Sequence, residues 1–167
     1  MLDSLERKNY HVTVAVGRPA DLTPLLMAAC TLARARGGRV TVLTVTSDGH
    51  RPDWLDVPKG PSPEEPRTEQ TLGALPDRCQ GVPVEVMVRL GSHAGGAILA
   101  AVREDTPDVL ILGWSGEIGR GQYLLGSTLD PLTQKAPCDI AIVRIGGEPE
   151  RVTEALTRVH QVLVPMR

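Results

Sequence analysis

Phenylalanine is missing from this chain of 167 residues, and two tryptophans and two tyrosines are its only aromatics. A core without large rings must be aliphatic, built from Val, Leu, Ile and Ala. Valine-rich runs separated by alanine-rich stretches favour a layered α/β fold over a helix bundle or a β-sandwich. Charge of one sign is lacking as well, since the formal net charge is -2. That leaves no electrostatic case for nucleic acid or for an anionic lipid surface as partner. No apolar run approaches the ~20 residues of a membrane span, so direct membrane insertion is not expected. The first residues carry Asp, Glu, Arg and Lys, which is not the pattern of a signal peptide. The sequence reads as a soluble, cytoplasmic domain.

Cysteine is scarce. Cys30, Cys79 and Cys138 are odd in number and widely spaced, with no CxxC and no nearby His pair. This argues against a disulfide framework and a metal site, and fits a reducing compartment. No Ser-His-Asp or Cys-His order has motif context. No catalytic residue is assigned, and the chain is not read as an enzyme.

What is present is a regular alternation. "HVTVAVG" (11–17) is a β-branched first strand. Thr23 and Pro24 read as N-cap and first helical residue of a helix that Gly37–Gly38 ends. "RVTVLTV" (39–45) is a second strand. Residues 47–81 hold prolines at 52, 58, 61, 63, 66 and 76 and read as a surface insertion with at most one short helix. "VPVEVMVRL" (82–90) is a third strand, and Ser92 caps a helix that Thr106–Pro107 stops. Ala94, Ala97, Ile98 and Ala101 form that helix's inward face. "DVLILG" (108–113) is apolar on both faces, as a central parallel strand requires. A short helix with Asp130–Pro131 as cap and first-turn pair follows, then "CDIAIVRI" (138–145). Every crossover is long enough for a helix. The expected fold is therefore a five-stranded, parallel, doubly wound sheet in an α/β/α three-layer domain over residues 10–146. Residues 150–167 form a tail. Its "HQVLVPMR" resembles "HVTVAVGR" (11–18), which reads either as coincidence among Val-rich strands or as the start of a second repeat.

The chemistry sits after the fourth strand. "LGWSGEIGRGQYLLGST" (112–128) holds five glycines and ends in two hydroxyls. Glycine admits positive φ and lets a phosphate approach the backbone. Backbone amides freed from secondary structure can converge on an anion, and helix N-termini add to the field. The loop lacks the Gly-Lys-Ser/Thr ending of a Walker motif. It also follows the wrong strand for a dinucleotide fingerprint.

Gly113-x2-Gly116-x9-Gly126-Ser127 has the G-x2-G-x9-G-(S/T) spacing of the universal stress protein family, which this chain resembles. "HVTVAV", "GGRVTVLTV", "AILAAVREDTPDVLILGWSG" and "LLGSTLDPLTQKAPCDIAIVR" resemble family segments in the same order. "LGWSG" and "GSTLDPLTQKAPCD" are most similar to the branch fused to the cytoplasmic end of amino acid permeases and cation transporters. The resemblance implies a Rossmann-like, adenine nucleotide alpha hydrolase-like fold that is frequently dimeric. It implies a cleft for ATP or AMP, with Mg accompanying ATP. Gly113, Gly116, Gly126, Ser127 and Thr128 would hold phosphates and ribose, and the Val45 backbone would meet the adenine. It also implies a homodimer through strand 138–145. One departure is plain. ATP-binding members carry Asp after strand one, where this chain has Gly17 and Arg18; Asp21 follows as a candidate helix cap. Two functions remain open: a nucleotide-sensing regulatory module, or a nucleotide-free domain for dimerisation or docking to a transporter.

Among other residues, His93 is a candidate cleft residue or an exposed first-turn residue. His11, His50 and His160 read as surface or strand-edge residues, and Cys138 as a small core residue. Trp114 either walls the cleft or packs under the glycine loop. Trp54 reads as packing on its own domain.

Overall fold

The computed structural model describes residues 10–47, 79–114 and 126–144. It contains β1 (His11–Ala15), α1 (Pro19–Arg36), β2 (Arg39–Thr46), β3 (Val84–Leu90), α2 (Ala94–Asp105), β4 (Val109–Trp114), α3 (Leu129–Lys135) and β5 (Asp139–Arg144). The five strands form one sheet in the order β3-β2-β1-β4-β5, with every neighbouring pair parallel. The expected fold class is the observed one. The 47–81 insertion lies largely outside the described residues, and so do the tail, Trp54, His50 and His160.

Strand alternation divides the core in two. Val12, Val14, Val40, Val42, Val109 and Ile111 pack with Leu25, Leu26, Ala29, Cys30 and Ala33 of α1. Leu43, Leu110 and Leu112 pack on the other side with Ile98, Ala101 and Val102 of α2 and Leu129 and Leu132 of α3. β1 is buried at all five positions, because strands flank it and helices cover both faces. The α2 face is shifted from the expected one: Ile98, Ala101 and Val102 are buried, while Ala94 is exposed and Ala97 half-buried.

Several local expectations are corrected. α1 begins at Pro19, with Arg18 extended before it, and Pro24 is buried inside the helix. Proline supplies no N–H, so either proline suits a first turn equally well from sequence. Pro19 takes that place, and the helix continues through Pro24. α2 is capped by His93 and not by Ser92, whose hydroxyl lies 3.0 Å from His93 Nδ1. α3 starts at Leu129 behind Thr128, so Asp130 lies in its first turn instead of capping it.

His11 is buried, against expectation, at 3% exposure. Its Nε2 is 2.8 Å from Thr41 Oγ1 and 3.5 Å from Asp105 Oδ2. Its backbone N–H donates to Asp108 Oδ2 at 2.8 Å. Burial first, and the Arg39 guanidinium second, hold the imidazole below its ordinary value. At the far end of α1, Gly38 permits a close crossing. A Cβ on Gly38 would stand 2.0 Å from the Tyr10 carbonyl oxygen.

The cysteines give the largest correction. Cys30, in the middle of α1, is disulfide-bonded to Cys79, with Cα atoms 5.1 Å apart. Sequence separation hides this because β3 returns beside β2, over the same face that α1 covers. Cys138 is free and half-buried, and burial, aided by Asp139, pushes its thiol up.

Candidate functional site

The strand order reverses between β1 and β4. β1 leads to β2 on one side, while β4 and β5 lie on the other. Connections therefore leave the carboxyl ends of β1 and β4 in opposite directions, and a crevice opens between them. A cleft of about 420 Å³ occupies this place. Val16 and Gly17 leave β1 along one wall, and Gly113 and Trp114, at the carboxyl end of β4, form the facing one. Leu43 and Val45 reach it from β2. Ala94 and Ile98 approach from the first turns of α2, and Leu25 from α1. Most of this lining is aliphatic, a slot suited to a flat apolar group.

Polar groups gather at two places. Gly126, Ser127 and Thr128 form one rim just before α3. Gly126 has φ +107, a conformation that side chains rarely adopt. Among the described residues nothing lies within 4 Å of where a Cβ would be, and the backbone turn by itself calls for glycine. Ser127 is exposed, so its hydroxyl stands at a solvent-accessible edge of the cleft. Gly95 in α2 lies against this rim: a Cβ there would be 3.4 Å from the Thr128 carbonyl oxygen.

The second polar place is the β1 side. Arg18 Nε donates to Asp21 Oδ2 at 2.8 Å, and its Nη2 donates to Oδ1 at 3.1 Å. This is a forked pair at the start of α1, with the Arg18 side chain 63% exposed and Asp21 nearly buried. A pair whose guanidinium is this exposed contributes little stability, so the arginine can be recruited by another anion. Asp21 thus orients an arginine instead of capping the helix. Sequence reading found both residues but not their pairing.

Of the sequence-derived site residues, Val45, Gly113, Gly126, Ser127 and Thr128 all line this cleft. Gly116 lies outside the described residues. His93 is exposed and does not line the cleft, whereas its neighbour Ala94 does. Trp114 both walls the cleft and packs against the α2–α3 side of the core. A second hollow lies against Asp108, Cys138 and Asp139 at the opposite ends of β4 and β5. Its two acidic side chains make it a poor host for phosphate. Among the described residues, no group of three or more His, Cys, Asp or Glu could hold a metal ion. None of the described helices is long and apolar enough to cross a membrane.

Comparison with known proteins agrees with this architecture. The family model described as "Universal stress protein family" matches residues 9–144. The chain is 27% identical over 161 residues to the Na(+)/H(+) antiporter NhaS5 of Synechocystis sp.. That alignment takes in 95% of this chain but 22% of the antiporter, so the chain spans about a fifth of this curated relative. A universal stress protein from Archaeoglobus fulgidus superposes with a TM-score of 0.54 at 21% identity, over 81% of this chain and 44% of that one. A universal stress protein solved in complex with cAMP superposes with a TM-score of 0.52 at 19% identity, over 82% of this chain and 98% of that one.

Proposed function

This chain belongs to the universal stress protein family, and from that premise we propose that it is a regulatory module whose cleft binds an adenine nucleotide, AMP-type or ATP, with Mg accompanying ATP. Its role is sensing and signalling, without turnover. The observation that carries this reading is the joining of an aliphatic slot to the Gly126–Thr128 rim at the strand-order reversal. The slot takes the base, with Val45 at the end of β2 offering its backbone to the adenine edge. Gly113, Gly116 and Gly126 let the phosphates approach the chain, and Ser127 and Thr128 donate hydroxyls. The family relative solved with cAMP adds support for an adenine nucleotide.

A second reading rests on a specific observation. The charged side chains among the described cleft lining, Arg18 and Asp21, are paired with each other. A cleft neutralised in this way also suits a nucleotide-free domain that docks to a transporter or dimerises. The antiporter relative supports a transporter partner for either reading. In both, the module works on the cytoplasmic side, and a homodimer forms by pairing of two β5 strands around residues 140–145. Among the described strands β5 is an edge, and its central side chains are only half-buried.

Calorimetric titration with AMP, ATP and cAMP separates the two readings. The nucleotide reading expects saturable binding by at least one ligand. Gly126→Val should abolish it, by strain at φ +107 and by blocking the phosphate. The double variant Ser127→Ala/Thr128→Val leaves the backbone unstrained and should weaken binding about tenfold. No heat with any nucleotide, from a chain shown folded by circular dichroism, leaves the docking reading.

A further inference from the structure

Cys30 and Cys79 are 0% and 1% exposed and belong to the core between α1 and the sheet. Cys30 is fixed by the hydrogen bonds of an 18-residue helix. Cys79 opens a turn closed by the Val82 N–H donating to the Cys79 carbonyl at 3.0 Å, and Val82 lies two residues before β3. The bond therefore clamps the lead-in of an edge strand to the helix that covers the sheet. β3 runs on through Gly91 to His93, directly into the N-terminus of α2.

We propose that Cys30–Cys79 is a reversible redox modification site, and that its state sets how firmly β3 and the start of α2 are held. The reasons lie in how well the fold serves both states. A thiol pair is a pair of small apolar residues, and both positions are already apolar core. On reduction the Cys79 thiol has an acceptor waiting, the Leu26 carbonyl oxygen at 3.9 Å. The Cys79 turn also keeps a second tether, from Arg34 Nη2 to the Gln80 carbonyl oxygen at 2.6 Å. Reduction thus removes the covalent clamp without stranding a polar group or freeing the turn outright. The looser state is confined to the β3 edge, since β1, β2 and β4 keep partners on both sides.

The chemistry balances with a thiol–disulfide partner. A small dithiol gives two electrons and two protons. The Sγ–Sγ bond breaks, Cys30 and Cys79 become thiols, and the reagent leaves as its own disulfide. Reoxidation runs the same exchange backwards with a disulfide as acceptor. With both sulfurs buried, exchange waits on a local opening at the Cys79 turn. The site therefore responds to sustained change in the surroundings and ignores brief exposure.

The test uses the full chain carrying Cys138→Ser, so that other thiol chemistry is removed. It is equilibrated in reduced or oxidised dithiothreitol, and free thiols are alkylated and mapped by mass spectrometry. Amide hydrogen exchange is measured on both samples. The oxidised chain should yield one linked Cys30–Cys79 peptide pair, and the reduced chain two labelled thiols with unchanged circular dichroism. Amides of residues 82–90 should exchange at least tenfold faster when reduced, and those of β1 should not change. Cys30→Ala/Cys79→Ala should exchange like the reduced chain in either buffer. Should that variant not fold, the reduced parent supplies the same comparison. The proposal falls if no linked pair forms in oxidised buffer, if exchange over 82–90 is the same in both states, or if reduction unfolds the chain. None of these readouts involves the nucleotide cleft.

Discussion

Nε2 of His11 lies 2.8 Å from Oγ1 of Thr41, so a buried imidazole on β1 is joined to a buried hydroxyl on its parallel neighbour β2. Asp105, at the end of α2, stands 3.5 Å from the same nitrogen, and Arg39 and Glu85 supply charges from β2 and β3. Desolvation outweighs the acidic neighbours, and the folded imidazole titrates below its ordinary value of 6.5. The unfolded chain therefore takes up this proton first as pH falls. The contribution to stability is intact above 6.5. It is lost as pH falls from 6.5 towards the lower folded value. Urea unfolding across pH 5–8 should show stability falling on the acid side, and His11→Gln should flatten the difference. An equal acid slope in parent and variant would remove His11 as its source.

Thr13 and Thr41 face opposite expectations although both are buried threonines in adjacent strands. Thr13 Oγ1 is buried without a hydrogen-bond partner among the described residues. Thr13→Val replaces that hydroxyl with a methyl group of similar shape and should stabilise the domain by about 1 kcal/mol. Thr41→Val takes the nearer partner from His11 Nε2, leaving it Asp105 Oδ2 at 3.5 Å, and should destabilise the domain by about 1–3 kcal/mol. Chemical denaturation of the two variants side by side reads the sign directly. Equal effects would show that the His11 bond carries no weight.

Gly38 is expected to be the least replaceable glycine among those described. An alanine there must displace the Tyr10 carbonyl, whose oxygen accepts the Arg39 N–H at 2.8 Å. The methyl group thus attacks the junction of α1, β2 and the entry to β1 together. Gly38→Ala should cost about 2–3 kcal/mol, while Gly96→Ala, with open space around it, should be neutral or slightly stabilising. A thermal melt that ranks them the other way would contradict the crossing.

The strands were the most legible part of the sequence. Val at 12, 14, 40, 42 and 109 alternates or runs as a buried parallel sheet demands, and β5 follows the same rule. Helix starts were harder. Pro19 and Pro24 both satisfy the chemistry of a first turn, and only packing of α1 on the sheet selects between them. Val45, Gly113, Gly126, Ser127 and Thr128 could be grouped because strand ends and glycine spacing place them at one edge of a parallel sheet. The Arg18–Asp21 fork and the approach of Ala94 could not, since they depend on how the first turns of α1 and α2 are oriented. The Cys30–Cys79 bond was concealed for a related reason. Forty-nine residues of separation say nothing about distance once a crossover returns the chain to the same face.

The pairing of β1 with β4 sets a timetable for biosynthesis. The His11 amide meets Asp108, 97 residues later in the chain. At roughly 5–20 residues per second, a ribosome needs about 5–20 s to supply that partner. β2 can pair with β1 long before then, but the other edge of β1 stays open with its valines uncovered. The nascent domain therefore passes through an interval in which the strand buried at every position of the finished fold is half-paired, the condition that invites chaperones or faulty association. The crevice cannot form until β4 closes that edge, and its Gly126–Thr128 rim is supplied later still, so the cleft is among the last features of the fold to be assembled.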